Sequence, residues 1–297
     1  MKKDAFYGFH PLVNFLYFVL TIQSAMLFRH PLCQIVSLIS SLSYAIYLEG
    51  GKAVSVAVKF LLPVVLLTSV INPMFSHEGR TIMLYLPTGN PLTLESILYG
   101  ISAGVMLASA FLWFRCFNLI ITSDKFIYLF GKIIPALSLV LSMTLRFVPR
   151  FKKQMSIVAD AQRVAGRDVS TGSIFKRLRN GITILSILIT WSLENAIDTA
   201  DSMKSRGYGL AGRTAFSIYR FDKRDQMAML WLLGTGICIL TGSVTKQLYW
   251  QYYPYIKGVT TQPVSIVLYI VYVLLCFTPL IINGKEDAKW RYLKSKI

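Results

Sequence analysis

Long unbroken apolar runs constrain this chain more than any other feature. They occupy 9–28, 31–48, 53–71, 94–121, 133–148, 227–244 and 264–282. A helix needs roughly 20 apolar residues to cross a bilayer, so runs of this length predict membrane helices. Prolines in or near them, Pro63, Pro135 and Pro279, are compatible with membrane helices, where neighbours re-satisfy the freed carbonyl. The run at 9–28 follows Met1-Lys2-Lys3. It is too long for a cleaved signal and has no small-x-small site after it, so a retained helix is expected. The predicted class is all-α, a polytopic helical membrane protein.

Composition agrees and excludes alternatives. Hydrophobic residues make up 54% of the 297 and charged residues only 15%, yet 31 Lys and Arg face 14 Asp and Glu. A soluble nucleic-acid binder with that charge is seldom so apolar, and a disordered basic chain would lack its aromatics. Cys33, Cys116, Cys238 and Cys276 lie far apart inside apolar runs and read as small buried hydrophobes, not as a disulfide scaffold. His10, His30 and His77 have no metal-ligand spacing.

The charge is localised. Between 149 and 224 lie 14 basic residues against six acids, and the tail adds Lys285, Lys289, Arg291, Lys294 and Lys296. Positive segments stay in the cytoplasm, so this stretch, the tail and the N-terminus are all expected there. That demands an even number of crossings before Pro149, whereas the apolar runs there are odd in number. The short run at 133–148 flows straight into the basic stretch and is expected not to be a simple crossing. The resulting division is 1–148, membrane helices; 149–225, amphipathic helices; and 226–297, membrane helices with a basic tail.

Two long amphipathic helices are predicted in the basic stretch. The first runs from Pro149, a residue suited to helical position N1, to a stop at Gly166, with Phe151, Met155, Val158 and Gln162 at helical spacing. The second covers about 173–206, with Ile174, Leu178, Ile182, Leu185, Ile189, Leu193 and Ile197 on one face. It ends Ser205-Arg206-Gly207. Lys204 and Arg206 complement the helix dipole and Gly207 suits a left-handed cap, which is a sufficient structural account. A helix end that projects an arginine is also a docking tip for carbonyls and carboxylates. Arg115 is expected to reach the membrane interface, and Arg146 to mark it. Glu194, Asp198 and Asp201 share a helix face, with Asp201 expected to pair with Lys204.

Four stretches in order are similar to one family, the transmembrane component of energy-coupling factor transporters, which includes the membrane subunit of cobalt importers. They are His10-Pro11; Asn72-Pro73-Met74-Phe75 through Gly79; Leu145-Arg146-Phe147-Val148-Pro149 followed by Ala161-Gln162 and Gly166; and Ser202-Met203-Lys204-Ser205-Arg206-Gly207-Tyr208. The resemblance implies a non-catalytic coupling subunit with cytoplasmic coupling helices, in a multi-pass protein of a prokaryotic plasma membrane. Two ABC-type ATPases, a hetero- or homodimer, would bind the ATP and Mg. A small membrane subunit would bind a vitamin or a transition-metal ion. Each coupling helix would end in an Ala-Arg-Gly-like tip. Ser205, Arg206 and Gly207 match one tip. The other departs from the pattern: Ala165 stands where Arg is expected, within Ala161, Gln162, Arg163, Ala165, Gly166 and Arg167. There either Arg163 or Arg167 substitutes, or shape alone makes the contact. This chain has no G-x-x-x-x-G-K-[ST] phosphate loop, so hydrolysis is expected in another chain. Two other classes stay open: an integral membrane enzyme acting on lipid-linked or phosphorylated substrates, and a basic scaffold for anionic lipid.

Overall fold

The computed structural model describes residues 4–85, 91–131, 134–208, 210, 219–258 and 262–296, without the side chains of 135–138. Met1-Lys2-Lys3, the first residue of the run at 133–148 and Arg213, one of the 14 basic residues counted above, lie outside the described residues. Contacts divide the chain into one unit of 1–122 with 219–297 and a second of 123–218.

The first unit holds α1 (Pro11–Leu27), α2 (Pro31–Glu49), α3 (Gly51–Phe75), α4 (Leu94–Ile120), α8 (Lys223–Val244) and α9 (Pro263–Lys294). Five of them, α2, α3, α4, α8 and α9, are long and apolar enough to cross a membrane, and α1 is a shorter apolar helix. This is a polytopic helical membrane protein. Two short hairpins, Ile82–Tyr85 with Pro91–Thr93 (β1, β2) and Trp250–Gln251 with Lys257–Gly258 (β3, β4), fill connections. Pro63 and Pro73 lie inside α3 and Pro279 inside α9.

The helix starts follow from local chemistry. His10-Pro11-Leu12 and His30-Pro31-Leu32 repeat one device: the proline opens the helix and the histidine Nδ1 accepts the leucine N–H, at 3.3 Å in both. At α8, Asp222 and Asp225 form a capping box, and the buried Asp225 also accepts the His10 N–H at 3.1 Å. That bond ties the start of α1 to the start of α8.

The core lies among α1, α2, α4 and α9 around Trp113, Tyr17, Tyr44, Tyr272 and Phe18. Several of its polar atoms are paired inside the bundle, as lipid demands. Trp113 Nε1 donates to Ser37 Oγ at 3.0 Å, Ser102 Oγ to Gln34 Oε1 at 2.8 Å, and Tyr17 OH to the Cys276 carbonyl at 3.0 Å. The α3–α4 contact depends on Gly100-x-x-x-Gly104. A Cβ on Gly100 would stand 2.7 Å from the Thr68 carbonyl, and one on Gly104 would stand 2.8 Å from Val65 Cα. Only glycine admits backbones this close.

Hydrogen bonds define the two ends of this unit. At one end Asn283 accepts from Ala5, Tyr44 donates to Asp4, Tyr47 to Asp287 and Arg224 to the Gly8 carbonyl. At the other, Tyr252 donates to the Arg29 carbonyl, and Asn72 Nδ2 to the Ser96 carbonyl and to Tyr253 OH. Four helices precede Thr122 and two follow Tyr219. Within this unit, Ala5, Thr122, Tyr219 and Asn283 therefore lie at the first of these ends.

Several expectations change. The run at 133–148 is, as expected, no simple crossing: from Pro135 it forms the first half of a continuous helix in the second unit, leaving four apolar helices before Thr122. Pro149 does not open a helix but lies within that one. Cys238 is exposed, on a face of α8 that the bundle leaves uncovered, while Cys33, Cys116 and Cys276 are buried. Arg115 does not reach outward alone, because Glu49 on α2 meets its Nε at 2.6 Å. Asp201 and Lys204 form no ion pair with each other, and both are exposed.

Candidate functional site

The second unit holds α5 (Ser123–Gly131), α6 (Pro135–Val164) and α7 (Ile174–Ser205). At 30 and 32 residues, α6 and α7 are rods of about 45 Å. They meet through a small core of Val158, Ile184 and Leu188, with Phe151 and Ala159 against it. The seven apolar residues read from the sequence as one α7 face do not make this core. Ile174, Leu178, Ile182, Leu185, Ile189, Leu193 and Ile197 are all exposed. So α7 is apolar on two sides, and the described residues cover only one of them.

Both rods end in the same capping motif. On α6 the Gly166 N–H donates to the Arg163 carbonyl at 3.0 Å and the Arg167 N–H to the Gln162 carbonyl at 2.8 Å. On α7 the Gly207 N–H donates to the Lys204 carbonyl at 2.9 Å and the Tyr208 N–H to the Met203 carbonyl at 3.0 Å. These are the paired bonds of a Schellman motif, whose left-handed residue is usually glycine. Gly166 and Gly207 have φ of +76° and +72°. Position by position, Ala165 in the first tip occupies the place of Arg206 in the second, with Val164 matching Ser205. Val164 is 91% exposed, and Ala165, Arg167 and Arg206 are exposed as well. Ala161 supplies the carbonyl that accepts the Ala165 N–H, at 3.2 Å. Gln162 Oε1 is buried and has no hydrogen-bond partner.

The connection from the first tip into α7 is tied down by Asp168. Its carboxylate accepts the Ser170 hydroxyl at 2.6 Å and the Ser170 N–H at 2.9 Å, and Arg163 Nε lies 3.6 Å away. These donors, the Ser170 hydroxyl first, hold the Asp168 carboxyl below its usual range. Asn180 Nδ2 donates to the Asp168 carbonyl and Arg177 Nε to the Val169 carbonyl. Arg163 is thus drawn into the turn, whereas Arg167 forms no ion pair among the described residues. Composition and spacing gave no sign of this tie, although an Asp two residues before a Ser after a helix stop is a turn signal.

Comparison with known proteins finds similar chains. No family model matches the chain. Over 107 residues it is 36% identical to the energy-coupling factor transporter transmembrane protein EcfT of Lacticaseibacillus paracasei, covering 36% of this chain and 39% of that one. Over 98 residues it is 38% identical to the EcfT of Lactobacillus helveticus, 33% of this chain and 35% of the relative. The chain is a homologue of energy-coupling factor transporter transmembrane proteins. A longer match, 29% over 203 residues, joins it to EcfT 1 of Listeria monocytogenes and covers 63% of this chain and 74% of that one. The chain thus spans about two-fifths of the length of the first of these EcfT relatives and about three-quarters of the last. These relatives are named as transmembrane components of a transporter.

Proposed function

We propose that this chain is the coupling subunit of an ATP-driven importer of the energy-coupling factor class. The observation that carries the reading is the pair of identically capped, exposed tips at the ends of two long helices. Ala161, Gln162, Arg163, Ala165, Gly166 and Arg167 form one tip, and Ser205, Arg206 and Gly207 the other. Each tip docks on one of two ABC-type ATPase subunits, identical or not, and those subunits bind the ATP and Mg and hydrolyse the nucleotide. Arg206 offers its guanidinium fork to carbonyls or a carboxylate on one ATPase. The first tip offers Val164 and Ala165 as shape, with Arg167 beside them; Arg163 is held by Asp168.

The exposed apolar face of α7 supports a second contact. An apolar stripe of this length meets lipid or another protein. We assign it to a small membrane subunit that binds the imported vitamin or transition-metal ion. Closure of the ATPases moves the tips, the rods carry the displacement, and the stripe changes its packing against that subunit. The basic balance of 149–224 and of the tail supports a cytoplasmic location for both rods and the chain ends, in a prokaryotic plasma membrane.

Gentle detergent extraction of the native complex, followed by mass spectrometry, should bring down two ATPase chains and a small membrane protein with this one. Arg206→Glu should lose the ATPases and uptake together. An Arg206→Glu complex that keeps both its ATPases and its transport rate overturns the docking reading.

A further inference from the structure

The end of the first unit opposite Ala5 and Asn283 holds a cavity of about 420 Å³. Its walls are the turn after α1, the end of α8, Tyr99 of α4 and the segment from Leu248 into β3 and beyond. Aromatic packing builds them. The Tyr99 ring lies 5.7 Å from that of Tyr252 and 5.2 Å from that of Tyr253, and Tyr252 OH donates to the Arg29 carbonyl at 3.4 Å. Arg29 is the only charged residue among the described lining residues. It is exposed, and its guanidinium has no partner among the described residues.

A narrow, mostly apolar crevice between α1 and α8 shares Leu27 and Phe28 with this cavity. On α1 it is lined by Leu20, Gln23, Ser24 and Leu27, which helical spacing puts on one face. On α8 it is lined by Gly236, Ile239 and Leu240, and the next residue on that face, Ser243, lines the cavity. Crevice and cavity are therefore one continuous groove. Leu27 and Leu240 are 49% and 45% exposed, so the groove opens to the bilayer. Gln23 is exposed as well, and its amide has no hydrogen-bond partner among the described residues. It stands about 6 Å short of the end of α1. An unpartnered amide facing hydrocarbon is costly.

We propose that this groove holds one anionic phospholipid. Arg29 takes the phosphate, the Gln23 amide donates to an ester carbonyl, and an acyl chain lies in the crevice against Leu20 and Leu240. A guanidinium fork matches phosphate oxygens. A phospholipid carries its ester carbonyls below its phosphate, in the order in which Gln23 and Arg29 stand. One positive charge with no carboxylate beside it favours a net negative headgroup over a zwitterionic one. A free anion would fill the cavity and leave Gln23 unpartnered. A partner helix, about 10–12 Å across, is too wide for the crevice.

The test marks the groove directly. The full chain in detergent is irradiated with phosphatidylglycerol that carries a diazirine on one acyl chain, and the labelled peptides are mapped by mass spectrometry. Label should fall on residues 20–27 and 236–240. Unlabelled dioleoyl-phosphatidylglycerol should displace the probe at lower concentration than dioleoyl-phosphatidylcholine. Arg29→Gln should raise the phosphatidylglycerol needed about fivefold and abolish that preference, one cationic contact being lost. Arg29→Lys, which keeps the charge, should preserve the preference and so separate charge from misfolding. Gln23→Leu should raise the requirement for both lipids about fivefold and leave the preference intact. The proposal is overturned by absence of label in the groove, by equal competition from the two lipids, or by an unchanged requirement in Gln23→Leu. A preference that survives Arg29→Gln, or is lost in both Arg29 variants, also overturns it. Displacement by glycerol 3-phosphate as readily as by phosphatidylglycerol overturns it in favour of a free-anion site. A co-purified membrane partner that shields the groove from the probe overturns it in favour of a protein contact. No residue used here belongs to either tip or to the exposed face of α7, so this proposal and the docking reading fail separately.

Discussion

Gly166 and Gly207 each hold a backbone conformation that side chains oppose, and each does so at a helix tip. A left-handed residue other than glycine costs about 1–2 kcal/mol. At Gly207 a Cβ would also stand 3.1 Å from Leu210 Cδ1, whereas nothing lies within 4 Å of Gly166. Gly207→Ala is therefore expected to loosen its tip more than Gly166→Ala, read as faster amide exchange at Gly207 and Tyr208 than at Gly166 and Arg167. His30 carries a different liability. Its Nδ1 caps α2, it is buried against Trp250 and Tyr269, and desolvation pushes its pKa down. The unfolded chain binds a proton near the ordinary histidine value of about 6.5, and the folded chain resists it. Stability is then complete above that value and falls as the pH drops below it. The thermal midpoint in detergent should decline between neutral pH and pH 5. His30→Asn, which caps without titrating, should flatten that decline; an equal decline in the variant refutes the assignment. Both glycine stops were legible in the sequence, because a glycine after a run of helical spacing has one usual meaning. The partners of His30 were not, since Trp250 and Tyr269 lie more than two hundred residues away in the chain and periodicity carries no information over that separation.

At the scale of elements, α2 and α4 are joined by the Arg115–Glu49 bond, both side chains about a quarter exposed. Such a pair falls between the small value of exposed ion pairs and the large cost of breaking buried ones. Arg115→Gln should cost about 1–2 kcal/mol by leaving Glu49 unpaired. Adding Glu49→Gln should recover part of that loss in a double-mutant cycle of thermal unfolding. The sequence reading gave most membrane helices to within a few residues, because a run of apolar residues states its own length. It failed at α6. Proline opens many helices, and a shift from apolar to basic residues falls at Pro149, so two signals agreed on a boundary that the helix ignores. Proline removes one backbone bond and crowds the carbonyl four residues earlier, but a rod of this length absorbs both. The Gly100-x-x-x-Gly104 contact was present in the sequence as a spacing and was passed over.

For the whole molecule, the even division of helices around the second unit makes a sidedness claim. In a Cys238→Ser background, an impermeant maleimide added to intact cells should label cysteines placed at Lys246 or Lys257. A cysteine at Ser170 should stay unlabelled until the cells are opened. Labelling of Ser170→Cys from outside would reverse the orientation proposed here. The two tips have one backbone and two chemistries, and that difference has its own consequence. An arginine contact at Arg206 weakens as mobile ions crowd around it, whereas a contact made by Val164 and Ala165 through shape does not. Even two identical ATPases would then be gripped unequally, and rising ionic strength would strip them off one at a time, the one on α7 leaving first.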